Sequence, residues 1–553
     1  MQVPDTVQGI IAARMDRLEK DLKETIQIAS VIGREFPFPI LQTVTGMRGK
    51  LEAYLLELQA LEFIYERSMF PELEYIFKHA LTQQVAYSSL LLRKRKEVHE
   101  SIRQAIEALY PNRLDEFYEA LAFHFKNGAS TDKAIYYLTK VAEKCLDRYA
   151  VAESHYHFME AYELLYPRVG EVKGAEVQLI DLLIKWAYVF YYRGDFKGLA
   201  DLLEAHRELA ESLDDKARLG MYYAWLGHAL YYSKDIKGSY HHLHKALQIG
   251  EEIKSELVIC YACCWLSWTC AEMGLLDEAV ASAEKAQEIC RCFEEDQYLY
   301  YKSLGALGYA YFYVGQKRKV REVGEAILEY SQQRGSIRGK VMGHFIMAHS
   351  FIMDGDSQSA IQYLRQGVEI SMDPLYSFMV KLPLGECYVL GSQLQDAEDL
   401  WQEILAFSRE SAGEKYEIMA LGLLSSISFL KGEVQALTAA EEILRRILET
   451  GLKSLYDRLY CALARGFSLM AGVTPDITQK AKDYCDKTIG IAREVGAKAF
   501  LGQGYLGLGL VCSAEGDKNK ARQYISEAVS LFEQCELDTY LKEAKEALES
   551  LQG

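Results

Sequence analysis

The dominant pattern along this chain is an alternation of apolar helical stretches with short turns of small or polar residues. Glycine marks most of these turns at a spacing of about 40 residues, at Gly194, Gly274, Gly315, Gly355, Gly391, Gly432, Gly472 and Gly516. One turn lacks a glycine and falls at Lys234-Asp235. A repeat of this length holds one helical hairpin, which cannot bury its apolar face alone. The pattern therefore predicts hairpins stacked into a solenoid, an architecture that offers an extended binding surface.

Individual positions inside the repeats agree with this prediction. A Leu-Gly pair precedes the turn in four repeats, at Leu226-Gly227, Leu307-Gly308, Leu384-Gly385 and Leu508-Gly509. The last repeat fits the tetratricopeptide template of aromatic, Leu-Gly, turn, Ala, large residue and Ala at Tyr505, Leu508, Gly509, Gly516, Ala521, Ile525 and Ala528. We therefore predict a fold that is all-α in bulk, a right-handed tetratricopeptide-type helical-hairpin solenoid of about nine to eleven hairpins.

The first 110 residues do not share this spacing. Three stretches have helical periodicity, and two short apolar stretches after them predict a hairpin. The helical stretches are Asp5–Leu18, Asp21–Ile32 and Leu51–Leu61, and the hairpin strands are Phe63–Tyr65 and Leu73–Phe77. Phe36–Pro39 interrupt the helical pattern. This order indicates a small winged-helix-like domain ahead of the solenoid.

Three parts follow from these patterns. Residues 1–110 are predicted to form the winged-helix-like domain and its connecting helices, residues 111–170 the first helical hairpins, and residues 171–553 the solenoid. The break near 170 is marked by Tyr166-Pro167 and by the glycines at Gly170 and Gly174.

Composition narrows the possible partners. The 553 residues carry a formal net charge of −17 and a pI of about 5.3, which opposes a phosphate backbone, so no nucleic acid is expected. The most membrane-like stretch, Leu257–Leu276, is interrupted by Thr269 and Glu272 and keeps the register of the repeat. We expect a buried helix there and no membrane partner. With no secretory signal pattern after Met1, the expected location is cytoplasmic, with reduced cysteines.

No motif in the sequence indicates a catalytic, cofactor or metal site. A Walker A loop is absent, because Gly335–Lys340 is one residue short and is followed by Val341. Gly502, Gly504 and Gly507 satisfy GxGxxG but lie inside a predicted helix, where close helix packing explains them. The four cysteines between Cys260 and Cys270 have no matching partner pair, so we interpret them as packing residues. The chain is therefore not expected to be an enzyme.

A ladder of rings stands out within the repeats. We take the repeat position that Gly227 and Gly308 occupy as the reference. The next residue, and the one three positions further on, are aromatic or histidine in several repeats, at His228, Tyr231, Trp268, Tyr309, Phe312 and His349. On the first helix of a tetratricopeptide hairpin these positions face the concave side, where rings could stack on a peptide or a planar ligand. The alternative is that longer hairpins bury the rings in packing.

A resemblance to a known family rests on the amino-terminal segment. The residues that carry it are Val3-Pro4, Val7-Gln8, Ala13-Arg14, Asp16–Leu18, Ala29–Phe36, Phe77–Thr82, Val85–Tyr87 and His99-Glu100. They resemble the region after the ATPase module in bacterial multidomain signalling proteins of the STAND type. These include forms fused to class III adenylyl or guanylyl cyclases and, more distantly, the soluble adenylyl cyclases of animals.

The resemblance implies a sensor arm that relays ligand or partner occupancy to a nucleotide switch. The expected partners are a protein or peptide in the solenoid groove and a P-loop ATPase or cyclase module, in cis or in trans, which family members carry upstream of the position of Met1. Two alternatives are a free-standing tetratricopeptide adaptor and a subunit of a split cyclase or ATPase. The basic run Arg93–Lys96 is either a solvated helix face or a patch that faces a partner.

Overall fold

The computed structural model describes residues 5–430, with gaps at 48, 69–71, 129, 233–234, 294, 392 and 411–413, then scattered positions between 442 and 472, and residues 474–551. The chain divides into two compact units, residues 1–182 and 183–553. The predicted turns at Lys234 and Gly432 lie outside the described residues. The predicted boundaries at 110 and 170 stay predictions.

The first unit contains a short helical array and a small sheet. Its helices are α1 (Asp5–Asp16), α2 (Lys20–Ile32), α3 (Phe38–Thr45), α4 (Leu51–Ala60), α5 (Ala80–Ser88), α6 (Leu92–Leu109), α7 (Tyr118–Lys126), α8 (Thr131–Asp147) and α9 (Val151–Leu165). Its strands are β1 (Glu35–Pro37), β2 (Ile64–Ser68) and β3 (Glu74–Phe77). Short 3-10 turns cover Leu114–Phe117 and Tyr166–Arg168.

The three strands form an antiparallel sheet in the order β1-β3-β2. Phe36 pairs with Tyr75 and Ile64 pairs with Phe77, so aromatic and aliphatic side chains from all three strands meet the buried faces of the helices. The sequence pattern showed only an interruption at Phe36–Pro39. The structure instead places β1 there, and α3 begins at Phe38 because Pro39 occupies a first-turn position that needs no backbone N–H.

The second unit is an array of helices in antiparallel pairs, which α10 (Ala175–Arg193) enters across the boundary. The remaining helices are α11 (Phe196–Ala205), α12 (Arg207–Ser212), α13 (Lys216–Tyr232), α14 (Ile236–Glu252), α15 (Glu256–Met273), α16 (Leu276–Cys290), α17 (Gln297–Val314), α18 (Lys317–Arg334), α19 (Ile337–Asp354), α20 (Ser357–Ile370), α21 (Pro374–Leu390), α22 (Leu394–Glu410), α23 (Glu414–Leu430), α24 (Pro475–Val495), α25 (Lys498–Ala514), α26 (Lys518–Gln534) and α27 (Asp538–Ser550). A 3-10 turn covers Arg291–Phe293. The predicted helical-hairpin solenoid is confirmed.

The two helices of a hairpin differ in how they are buried. In the inner helix α15 every residue from Cys260 to Glu272 is buried, because α15 packs against α13 and α17 as well as its hairpin partners. The outer helix α16 buries one face, which includes Leu276, Ala279 and Ala283. The small alanines on that face allow close approach of the inner helices. Several outer helices have an aspartate as the N-cap residue. At the start of α20, the carboxylate of Asp356 accepts a hydrogen bond from the backbone N–H of Ser359 at 3.0 Å.

Later repeats of the array fold back against earlier ones. The inner helices α13, α17 and α19 contact α23, α25 and α27 respectively. Lys317 donates to both Asp354 and Asp538 at 2.9 Å, and Asp354 also accepts the backbone N–H of Thr539 at 3.1 Å. The contacts with Asp538 and Thr539 join residues 221 and 185 positions apart in sequence. Side chains of the last repeats therefore pack against the inner helices of earlier ones.

Within the described ranges, no helix has both the length and the apolarity that crossing a bilayer requires.

Candidate functional site

The six ring residues selected from the sequence all lie inside the second unit. They are between 1 % and 6 % exposed, namely His228, Tyr231, Trp268, Tyr309, Phe312 and His349. Of the two alternatives, an open groove or rings buried in packing, this burial corresponds to the second. Four of the six nevertheless border an internal pocket, so their part in partner binding stays a proposal.

The rings form a ladder across successive inner helices. Trp268 on α15 stacks on Tyr309 on α17, with ring centroids 4.5 Å apart. The ring of Tyr309 contacts that of His349 on α19 edge-on, with centroids 5.7 Å apart. The ring centroids of Phe345 and His349 are 4.2 Å apart. Such pairs stabilise by about 0.5–1.5 kcal/mol beyond burial of their area, and they hold neighbouring inner helices at a defined spacing.

A pocket of about 60 Å³ lies among the inner helices α13, α15, α17, α19, α21 and α23. We call it the central pocket. Its walls are mainly aromatic and aliphatic, with three charged side chains among them, and the lining residues are Tyr231, Tyr232, Trp268, Glu272, Lys302, Tyr309, Phe345, His349, Met379, Leu382, Pro383, Glu386, Tyr416 and Met419. An apolar enclosure with a few polar groups is the usual character of a small-molecule site.

Lys302 brings a buried amine to this pocket. The residue is 1 % exposed, and its Nζ lies over three rings, 4.5 Å from the centroid of Trp265, 5.0 Å from Trp268 and 5.5 Å from Tyr191. Burial disfavours the charged form and lowers the pKa of Lys302 to about 7. Burial therefore weakens proton binding by this amine, and a negative charge that entered the pocket would favour its charged form.

Glu272 is the buried acid of the same pocket. It is 3 % exposed, and its Oε1 accepts the hydroxyl of Tyr309 at 2.9 Å and that of Tyr231 at 3.4 Å. Burial, followed by the nearby Glu272 charge, holds the pKa of Tyr231 well above its ordinary value, so this hydroxyl keeps its proton and remains a donor. The carboxylate is thus held in place by tyrosine hydroxyls.

Two histidines complete the polar groups of this region. The carbonyl of Phe345 can only accept, so Nδ1–H of His349 donates to it at 2.7 Å. His228 stacks on Trp265, and burial, followed by the charge of Lys302, lowers its pKa well below the ordinary value. Neither ring nitrogen of His228 has a hydrogen-bond partner among the described residues. The imidazole of His228 is neutral and polar inside an apolar wall.

Pro383 supplies a further polar feature through the backbone. It lies inside α21, where it cannot donate the helical hydrogen bond to the carbonyl of Met379. Both residues border the central pocket. A helix normally satisfies that carbonyl internally, and the proline removes this donor.

A buried ion pair on α19 lies outside the residues that line the central pocket. Arg338 on α19 binds Asp373 through two hydrogen bonds, Nε to Oδ2 at 2.7 Å and Nη2 to Oδ1 at 3.0 Å, and its guanidinium lies 3.7 Å from the ring centroid of Tyr192. Both sides of this pair are satisfied, so we interpret it as structural.

The sequence motifs do not identify Lys302 or Glu272 as site residues. A signal was present, because Lys302 is the only charged residue in α17 and Glu272 lies at the end of an unbroken buried run in α15. An isolated charge in a helix that is apolar on all sides indicates either a buried partner or a ligand.

The cysteines of α15 are packing residues in the structure. Cys260, Cys263, Cys264 and Cys270 are buried, and burial raises the pKa of both Cys263 and Cys264 to about 12. Over the positions that the structure describes, no group of three or more histidine, cysteine, aspartate or glutamate side chains is placed to hold a metal ion.

Comparison with known proteins agrees with the fold. A model of the tetratricopeptide repeat matches residues 261–291 and 502–535, which correspond to hairpins of the second unit. The array is a tetratricopeptide-type solenoid. No curated protein sequence matches this chain.

Several solved structures are similar to this chain at low sequence identity, with TM-scores below 0.5. A STAND protein with a tetratricopeptide repeat sensor from Pyrococcus horikoshii is 15 % identical, with a TM-score of 0.47 over 82 % of this chain and 68 % of that one. A Rap protein in complex with Competence and Sporulation Factor is 13 % identical, with a TM-score of 0.49 over 66 % of this chain and 98 % of that one. The apo quorum sensor NprR from B. thuringiensis is 12 % identical, with a TM-score of 0.36 over 73 % and 97 %.

Proposed function

We propose that this chain is the regulatory, protein-interaction module of a STAND-type ATPase or nucleotidyl cyclase signalling system, in which it acts as the sensor arm. The observation that carries the proposal is the central pocket. Lys302, Glu272 and His349 are buried among aromatic side chains. Their burial opposes folding, because each polar group loses its contacts with water. Natural sequences accept such local conflicts chiefly at functional sites.

The amino-terminal unit offers the contact surface for the nucleotide switch. Leu91 and Leu92, at the start of α6, are 80 % and 74 % exposed, the two most exposed large apolar side chains among the described residues. Arg93, Lys94 and Lys96 beside them are also exposed. On a chain with a net charge of −17, this apolar and basic patch suits a partner with an acidic, apolar surface.

The proposal is tested by recovering the tagged chain from its native cells and identifying all recovered polypeptides by mass spectrometry. We expect peptides from a P-loop ATPase module or a cyclase domain, either as a separate protein or within the same polypeptide. Recovery of neither kind of module would contradict the proposal and favour the free-standing adaptor.

The contact surface is tested with the recovered module and the 553-residue chain. Replacing both exposed leucines, Leu91→Glu and Leu92→Glu, should weaken binding of the module by about tenfold or more, since two apolar contacts become unpaired charges. Met372→Glu is the matched control, because Met372 is 56 % exposed but lies in the second unit. Equal binding by the leucine variant and the control would show that α6 is not the contact.

A further inference from the structure

Lys302 has a buried amine with no acidic partner among the described residues. Within the part of the chain that the structure describes, its Nζ meets the three rings of Trp265, Trp268 and Tyr191 and has neither a hydrogen bond nor an ion pair. A lysine that is 1 % exposed normally has a carboxylate beside it, because an isolated buried ammonium is strongly disfavoured. An acid that enters the central pocket would supply that missing partner.

The indole N–H of Trp268 is a second buried donor near the central pocket that lacks an acceptor within the described ranges. Trp268 is 5 % exposed, borders the central pocket, and its Nε1–H has no acceptor among the described residues. A buried N–H without an acceptor opposes folding, because it has lost its hydrogen bond to water. Nζ of Lys302 lies 5.0 Å from the ring centroid of Trp268, so the two side chains border the same part of the pocket. An indole N–H can only donate, which selects an oxygen acceptor on the ligand.

The acidic and carbonyl groups of the pocket restrict the rest of the ligand. Glu272 and Glu386 both border the pocket, so a ligand with two negative charges is disfavoured. Pro383 leaves the carbonyl of Met379 without its helical donor at the same wall. These groups are acceptors, and they suit a ligand that carries an amine or a hydroxyl in addition to its acid.

The size of the pocket limits the ligand further. Its volume of about 60 Å³ corresponds to roughly four to six water-sized spheres. A cavity of this size favours a small molecule over a nucleotide or an oligosaccharide.

We propose that the central pocket binds a small amino- or hydroxy-carboxylic acid, with its carboxylate paired with Lys302 and hydrogen-bonded to Nε1 of Trp268. Its amine or hydroxyl lies on the side of Glu272 and the Met379 carbonyl. This inference names the ligand class of the proposed sensor arm and rests on that function. The acid is either a free molecule or the carboxyl end of a peptide, and the binding test separates the two.

The test is calorimetric titration of the full chain with glycine, alanine, β-alanine, glycolate and lactate, with ethanolamine as the probe that lacks a carboxylate. At least one acid should bind and ethanolamine should not. Triglycine that binds more tightly than glycine would assign the carboxylate to a peptide end, and weaker binding would assign it to a free acid. If none of these acids nor triglycine binds, the inference is wrong.

Variants connect binding to the two donors. Lys302→Met replaces the amine with an unbranched apolar side chain one atom shorter, which suits the surrounding rings, and it should abolish binding. Lys319→Met is the matched control, because Lys319 lies 4.7 Å from the ring centroid of Tyr311 but is exposed and outside the pocket. Trp268→Phe removes the N–H together with the five-membered ring of the indole and should weaken binding by about tenfold, which keeps the test decisive if Lys302→Met does not fold. Unchanged affinity in either pocket variant would overturn the inference.

Proton uptake supplies a readout that a merely structural lysine would not change. A carboxylate beside Lys302 stabilises its charged form, so binding slightly above pH 7 should take up a fraction of a proton, measured in buffers of different ionisation enthalpy. His228 and Cys264, which lie beside Lys302, stay neutral because burial lowers the pKa of the first and raises that of the second to about 12. Recovery of an ATPase or cyclase module without acid binding would leave the proposed function standing and reject only this ligand.

Discussion

Position 355 requires glycine for two separate reasons, the backbone conformation and the space beside the Cα atom. Its φ of +83° is the left-handed conformation that ends α19, which the spacing of glycines in the sequence predicts. The second requirement is visible only in the structure, because a Cβ there would lie 2.9 Å from Cζ of Tyr540 on α27. The sequence indicates the turn, but it cannot indicate a neighbour nearly 200 positions away.

A pair of alanine substitutions separates these two requirements. Gly335 also has a left-handed φ, +67°, but nothing lies within 4 Å of its added Cβ. Gly335→Ala should lower the free energy of unfolding by about 1 kcal/mol, which is the cost of the conformation. Gly355→Ala should lower it by a further 1–3 kcal/mol or so, since Tyr540 must move. Urea unfolding of both variants measures the difference, and equal losses would mean that the fold-back contact adds nothing.

At the scale of single elements, the sequence predicts which face of an outer helix is buried, but for an inner helix it predicts only the helix itself. An outer helix such as α16 buries one face, so its apolar positions identify that face. An inner helix such as α15 is buried on all sides, and its apolar pattern contains no preferred direction. For this reason the sequence could place Trp268 on an inner helix but could not decide between groove and core.

The helices α6 and α7 of the first unit share a buried histidine pair. Nδ1 of His99 lies 2.8 Å from Nδ1 of His124, and Nε2 of His99 lies 3.2 Å from the hydroxyl of Tyr87. Burial lowers the pKa of His99 to about 4 and that of His124 to about 3, with smaller effects from the charges of Arg95 and His99 respectively. Both imidazoles are neutral in the folded protein at neutral pH.

This pair should make the first unit sensitive to acid. A histidine in the unfolded chain titrates near pH 6.5. Below that pH the unfolded chain binds more protons than the folded protein, so the free energy of unfolding decreases as the pH is lowered. Each histidine should remove about 2 kcal/mol between pH 7 and pH 5. Hydrogen exchange of amides in α6 and α7 measures this loss, and the double variant His99→Leu/His124→Leu should flatten the profile. A wild-type profile already flat over this range would contradict the assigned pKa shifts.

At the scale of the whole molecule, the sequence predicted the solenoid and the structure added the pocket. The spacing of turns depends on local geometry that each repeat carries, so it was readable from the chain. The central pocket depends on side chains from six helices that span nearly 200 residues, and only packing brings Lys302, Glu272 and Met379 together. A sensor arm requires that occupancy of this pocket changes how the chain binds its nucleotide switch.

The most direct test of that claim is the affinity of the full chain for its recovered ATPase or cyclase module, measured with the central pocket empty and then saturated with the acid that binds best. Coupling between two sites typically amounts to 1–3 kcal/mol, so we expect the affinity to change by roughly 5- to 150-fold, and Lys302→Met to abolish the change. An affinity that is the same with and without the acid would contradict the account of this chain as a sensor arm.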